Sequence, residues 1–316
     1  MSIPTIDLTR PRSEVAADID LACREVGFFA IVGHNVPISV TRRAWATTDA
    51  FFDLPLDLKM TARHPTEKHH PYGYFPSGQE ALAASLGVVT PPDLKESFNI
   101  APPPDHADGT GRFGGVGRIW PQQPPGLRMA WIDYYESMVA LAEQLLEFMA
   151  EALGMDRTHF ASSVDQHLSA LRGLNYPPLN HGPASGQLRA GEHTDYGTLT
   201  ILLPGTGSGG LEVLRRNDEW EQVQPVTDGF VVNIGDMMAQ WTNDLWRSTK
   251  HRVAVPDSEV AANERRQALA FFHQPNWDAE ISPLPTCVPP GQAPKYEPVL
   301  AGPWLRAKFD AASTGG

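Results

Sequence analysis

The chain has 316 residues, 25 Lys+Arg against 37 Asp+Glu, a formal charge of −12 and a hydrophobic content of 41%. That is a globular composition with ample material for a core, and an acidic chain without basic runs argues against wrapping nucleic acid or anionic lipid. No apolar run approaches the ~20 residues of a membrane span, and the start, MSIPTIDLTRPR, lacks a secretory pattern. The two cysteines, Cys23 and Cys287, form neither a disulfide framework nor a zinc-ligand spacing. The expectation is a soluble cytoplasmic protein with no membrane or nucleic-acid partner.

Residues 13–26 and 39–52 carry helical periodicity, and Gly27 closes the first stretch. Between them, Phe28, Phe29, Ile31 and Val32 read as a strand that turns at His34–Asn35, where Asn tolerates φ > 0. Residues 61–127, rich in Pro, Gly and His, have little period and predict long surface loops. The clearest helix runs from Met129 to Leu153. There Trp131, Tyr135, Met138, Ala142, Leu145 and Met149 recur at steps of three and four, with Gly154 as a stop.

After Ala170 the texture changes to short β-type runs: Thr198–Leu203, Leu211–Leu214, Trp220–Val226, Phe230–Ile234, His251–Val255 and Gln267–Phe272. Their spacing, without long intervening helices, predicts an antiparallel sandwich or jelly roll and argues against a doubly wound parallel sheet. The plan is a mainly-β (α+β) fold in a single catalytic domain, 1–316. Residues 1–165 are expected to be mostly helix and loop, 166–280 a β-core carrying the chemistry, and 281–316 a C-terminal tail.

Three residues stand out for chemistry: His193 and Asp195 in GEHTDYGTLT, and His251 in STKHRVAV. Side chains at i and i+2 of an extended segment share a face, so the first two converge, and a histidine from another strand completes the set. Two imidazoles and one carboxylate with three positions left open suit a non-haem Fe(II) oxygenase. A lone H-x-D is more often accidental; the added weight comes from two β-segments each opening on a ligand. Arg266, in NERRQALAFFHQP, opens a further strand. A guanidinium there is costly to bury without an anion such as a carboxylate, although a surface ion pair is the commoner fate of an arginine. Tyr176 in LRGLNYPPL offers a phenol at a strand end.

These segments resemble the isopenicillin N synthase-like Fe(II)/2-oxoglutarate-dependent dioxygenases over nearly the whole chain. IPTIDL, ACREVGFFAIVGHNVP, FFDLPLDLK and DLKESFNI are similar to the family's N-terminal region. LRGLNYPP, EHTDYGTLTILL, GGLEVL, FVVNIGDMMAQWTND, STKHRVAV and RRQALAFFHQPN follow in the family's order. The resemblance implies a double-stranded β-helix (jelly-roll) core flanked by N-terminal helices. It implies Fe(II) held by His193, Asp195 and His251, with O2 and 2-oxoglutarate as co-substrates. Arg266 then matches the arginine that grips the distal carboxylate of 2-oxoglutarate, and Tyr176 the tyrosine beside it. Asn233 and Trp241–Asn243 read as scaffold.

One departure bears on the co-substrate. The family's usual Arg-x-Ser is here Arg266-Gln267-Ala268, which removes a hydroxyl that shares the carboxylate. Arg266 and Tyr176 can suffice with weaker affinity, another 2-oxo acid can serve, or the enzyme can use O2 without any 2-oxo acid, like the family's namesake. The implied activity is oxidation of a small-molecule metabolite by hydroxylation, desaturation or cyclisation, in natural-product (antibiotic-type) biosynthesis. A non-catalytic jelly roll that only binds a small ligand would show a broken triad, and this triad is intact. For the substrate wall the candidates are Tyr72, Tyr74, Phe75 and Phe98 from the N-terminal half, and Phe272 and Gln274 beyond Arg266. The −12 charge leans toward a neutral or cationic substrate.

Overall fold

The computed structural model describes residues 3–63, 72–88, 90–103, 117–179, 184–205, 209–256 and 263–313. In chain order the elements are β1 (Thr5–Asp7), α1 (Arg12–Glu25), β2 (Phe28–Val32), α2 (Ile38–Phe52), α3 (Leu56–Met60), β3 (Gly73–Phe75), a 3-10 turn (Leu82–Leu86) and β4 (Glu96–Ile100). Next come α4 (Leu127–Ala152), α5 (Ala161–Val164), β5 (Ala170–Tyr176), β6 (Ala190–His193), β7 (Leu199–Pro204), β8 (Leu211–Leu214), β9 (Trp220–Gln222) and β10 (Phe230–Ile234). The last are α6 (Asp236–Trp241), β11 (His251–Val253), β12 (Arg266–His273), β13 (Glu280–Ile281), a 3-10 turn (Pro285–Cys287), β14 (Val299–Leu300) and α7 (Ala301–Ser313).

The strands form an eight-stranded sheet in the order β1-β2-β10-β7-β12-β5-β4-β3, a four-stranded sheet β6-β11-β8-β9, and the small pair β13-β14. Apart from the parallel β1–β2 pair, neighbours run antiparallel. Large and small sheets face each other as a double-stranded β-helix, with Phe28, Ala30, Val231, Leu211, Val213 and Val223 packed between them. On the other side of the large sheet lies the helical layer. α4 presents Trp131, Tyr134, Met138, Leu141, Leu145 and Met149, all buried, to that sheet and to α1 and α2. Burial of each such side chain contributes about 1.5–3 kcal/mol. Gly154 then adopts φ +70°, and Met155 N–H returns to Ala150 C=O, ending the helix.

Residues 61–127 differ from the expected loops. β3 and β4 lie there and extend the large sheet beyond β5, while 64–71, 89 and 104–116 fall outside the described residues. ESFNI in β4 has no alternating pattern because both its faces are covered: all five residues are buried. Four of the eight strands in the large sheet thus come from the first 100 residues.

Strand register decides which side chains reach the space between the sheets. Phe98 on β4 opposes Gly173 on β5, and a Cβ on Gly173 would stand 3.1 Å from the Trp131 ring, so this row faces the helices. Ser97, Asn99, Arg172, Leu174, Tyr176, Arg266, Ala268, Ala270, Phe272, Thr200 and Asn233 belong to the alternate rows and face the interior.

Candidate active site

β6 and β11 are neighbours, and His193 stands directly opposite His251 across that pair. Their rings lie 4.2 Å apart, centre to centre, at 52°. Asp195, two residues beyond His193, brings Oδ1 to 3.9 Å from His193 Nε2 and 3.7 Å from His251 Nε2. One ligand atom from each of the three lies within 4.8 Å of the others.

The hydrogen bonds around the triad leave the right atoms open. His193 Nδ1 pairs with Gly191 C=O at 2.7 Å and His251 Nδ1 with Thr249 C=O at 3.1 Å, so each ring donates from Nδ1 and turns Nε2 to the centre. Asp195 Oδ2 accepts from the Thr200 hydroxyl at 2.6 Å and from Asn233 Nδ2 at 2.7 Å, which leaves Oδ1 for a metal. Burial, followed by the neighbouring His251, lowers the pKa of His193 and keeps its imidazole neutral. For Asp195, burial works upward but the two histidines, Thr200 and Asn233 outweigh it and hold the carboxyl down. Two imidazole Nε2 atoms and a single carboxylate oxygen are the donor set Fe(II) needs.

Behind the triad the backbones approach closely. A Cβ on Gly197 would stand 2.2 Å from His273 C=O, so only glycine fits after Tyr196. Asp236, the first residue of α6, was not singled out by sequence. Its N–H donates to Asp195 C=O at 2.7 Å, and its carboxylate accepts from Ser248 Oγ at 2.6 Å and Thr194 Oγ at 3.3 Å. It therefore ties the turn bearing His193 and Asp195 to the approach to His251. Its chain neighbours, in NIGD, and the Ser248-x-x-His251 spacing were the available signals.

Toward the opposite end of the interior, Arg266 and Tyr176 pair across β12 and β5, and the guanidinium lies 4.8 Å from the centre of the Tyr176 ring. Arg266 Nε donates to Gly209 C=O at 3.0 Å, while the buried Nη1 has no partner among the described residues. A buried guanidinium nitrogen without an acceptor is unfavourable by itself, and a carboxylate arriving through the interior would satisfy it. Ala268, on the same face, has only Leu174 and Pro204 across from it.

The residues proposed for the substrate wall divide. Phe272 faces the interior, opposite the Thr200 that holds Asp195, and is half-buried. Phe75, opposite Ser97, shares that face, and Gln274 packs on Gly197. Tyr74 and Phe98 do not: they are opposite each other on the helix-facing side. Phe98 packs on Phe51 and Trp131 and is fully buried, and the Tyr74 hydroxyl donates to Glu96. Tyr72 belongs to the same helix-side core, near Tyr135. These three are core residues, because the period-two alternation of β3 and β4 turns them away from the site.

Two family models match, the non-haem dioxygenase in morphine synthesis N-terminal region over residues 3–123 and the 2OG-Fe(II) oxygenase superfamily over 168–275. Validamycin A dioxygenase of Streptomyces hygroscopicus subsp. limoneus is 34% identical over 296 residues, covering 90% of this chain and 80% of that protein. The chain belongs to the 2OG-Fe(II) oxygenase superfamily. This oxygenase is also 32% identical to the proline hydroxylase buaE of Petromyces alliaceus, over 87% of this chain and 86% of that one. A full-length Neurospora crassa protein solved with alpha-KG (2-oxoglutarate) and thymine superposes with a TM-score of 0.85 at 28% identity, covering 98% of this chain and 96% of that one. The oxygenase is an Fe(II)- and 2-oxoglutarate-dependent dioxygenase that uses O2. Among the described residues no helix is long and apolar enough to cross a membrane.

Proposed function

We propose that His193, Asp195 and His251 are the iron ligands of this dioxygenase and that Arg266, with Tyr176, holds the distal carboxylate of 2-oxoglutarate. Residues 1–316 act as one catalytic unit on a small-molecule metabolite in natural-product biosynthesis. The observation that carries the reading is the pairing of three converging open donor atoms with a buried Arg266 Nη1, on the same interior, that has no partner among the described residues. The metabolic role is supported by the likeness to validamycin A dioxygenase and to a proline hydroxylase.

Bound iron and 2-oxoglutarate supply the activation of O2, which is coupled to decarboxylation of the 2-oxo acid to succinate and CO2. The chain's part is to position and to shield. Asp195 offers one oxygen because Thr200 and Asn233 occupy the other. Backbone carbonyls fix the tautomer of both histidines. Val231, Leu211 and Val223 keep the Arg266 end of the interior apolar, which strengthens the ion pair there.

Anaerobic addition of Fe(II) and then 2-oxoglutarate to the metal-free chain tests this reading. A weak visible charge-transfer band that needs both additions is expected, and it disappears in His193→Ala and Asp195→Ala. A band that survives either substitution sinks the ligand assignment. Iron binding without a band points to chemistry without 2-oxoglutarate.

A further inference from the structure

Resting on that reading, we propose that Arg172, braced by Asn99 and Glu80, forms with Phe272 a substrate subsite for an uncharged molecule presenting a carbonyl or amide oxygen, not a carboxylate.

Arg172 sits opposite Asn99 on β4 and Ala270 on β12, on the interior-facing row. One pleat further along β12 is Phe272, whose partner Thr200 donates to Asp195. The subsite therefore adjoins the metal ligands.

The guanidinium is only partly used. Nε donates to Asn99 Oδ1 at 2.8 Å and Nη2 to Glu80 Oε1 at 3.1 Å. Nη1 makes no hydrogen bond among the described residues, and the side chain keeps 16% of its surface accessible. Bracing on two sides fixes the fork and leaves both Nη1 hydrogens for a ligand. The Phe272 ring offers apolar surface beside it for a ring or alkyl body.

Charge decides between ligand classes. Glu80 lies 3.1 Å from Arg172 and 3.5 Å from Lys95, and Lys95 lies 2.6 Å from Asp93. Burial pushes the Glu80 carboxyl up, but Arg172 and Lys95 outweigh it and hold it at about 2, so Glu80 is ionised at neutral pH. Two cations and two carboxylates leave the cluster without net charge. A substrate carboxylate on Nη1 would gain from a cation already neutralised and would face the Glu80 anion at short range. A carbonyl oxygen takes the same hydrogen bond without that repulsion.

Benzamide and benzoate share ring and shape and differ in charge, and each is titrated by ligand-observed NMR into the full chain holding Zn(II) and 2-oxoglutarate. Benzamide is expected to bind, and Arg172→Gln to weaken it about tenfold, the scale of one hydrogen bond to a charged donor. Glu80→Gln leaves the Arg172 charge unopposed and should raise benzoate affinity about tenfold. Benzoate binding the unmodified chain as well as benzamide overturns the proposal. So does absence of benzamide binding, or an unchanged benzoate affinity in Glu80→Gln. The anaerobic Fe(II) and 2-oxoglutarate band, recorded on a metal-free portion of the same protein before Zn(II) is added, separates this from failure of the dioxygenase reading: band present with these results condemns the subsite alone.

Discussion

The carboxylate of Asp236 accepts the hydroxyl of Ser248 at 2.6 Å, three residues before His251, while its own N–H holds the carbonyl of Asp195 at 2.7 Å. One residue thus spans both halves of the triad from outside. Groups that orient metal ligands commonly contribute 10–100-fold to metal affinity. Asp236→Asn is expected to weaken Fe(II) binding by about tenfold or more, and Ser248→Ala by less, measured by anaerobic titration. Lys308, also near the Asp236 carboxylate at 3.4 Å, is exposed by 40%, and Lys308→Met should leave the affinity within about twofold. Equal effects of Asp236→Asn and Lys308→Met would show that general surface charge, not positioning, governs the site.

In the site proposed for 2-oxoglutarate, Ala268 stands where a serine would share the co-substrate carboxylate. It is 1% exposed, with Leu174 and Pro204 opposite. The side chains opposite offer a hydroxyl added there no acceptor, and the co-substrate carboxylate would supply one. Ala268→Ser should therefore tighten 2-oxoglutarate by about five- to tenfold, about 1–1.5 kcal/mol, read from the anaerobic charge-transfer titration. It should also lower the melting temperature of the co-substrate-free chain, where the hydroxyl is left unpaired. No gain in affinity would mean that the carboxylate lies out of reach of position 268.

Phe98 and Phe272 looked alike as loop and strand aromatics, and the sheet separates them. Phe98→Ala should cost about 3–5 kcal/mol of stability in denaturant titration, with the 2-oxoglutarate affinity of the remaining folded protein unchanged. Phe272→Ala should cost less, because its ring is half-buried, and should weaken benzamide. The reverse pattern would contradict the register of β4.

The same pair shows what was legible in the sequence. The convergence of His193, Asp195 and His251 was readable because i, i+2 spacing and a strand-opening histidine are local signals, and so was α4, whose 26 residues repeat one face. β3 and β4 were not, because three and five residues carry too little period. Without those strands their parity was unknown, so Tyr74 and Phe98 could not be told from Phe75. Arg172 and Glu80 were silent for a related reason: their pairing joins residues 92 positions apart.

His273 makes a pH prediction whose sign is fixed by burial. It is fully buried, its Nδ1 lies 2.7 Å from the Thr198 hydroxyl, and its Nε2 has no partner among the described residues. Burial, then the nearby His167, pushes its pKa down from 6.5 to about 3. The unfolded chain takes up a proton below 6.5 that the folded chain refuses. The stabilisation is therefore complete above that pH and is lost as pH falls toward about 3, at up to ~1.4 kcal/mol per pH unit. His167 shifts in the same direction through burial and the charge of Arg118, and adds to the slope. His273→Gln cannot take the proton. It should be less stable than the unmodified chain near neutral pH, having lost the packed imidazole, yet lose about 1 kcal/mol less per unit between about pH 6 and 5. Denaturant titrations of both chains in the same metal state across that range measure the two slopes, and parallel slopes would show that His273 takes up its proton in the fold as readily as in the unfolded chain.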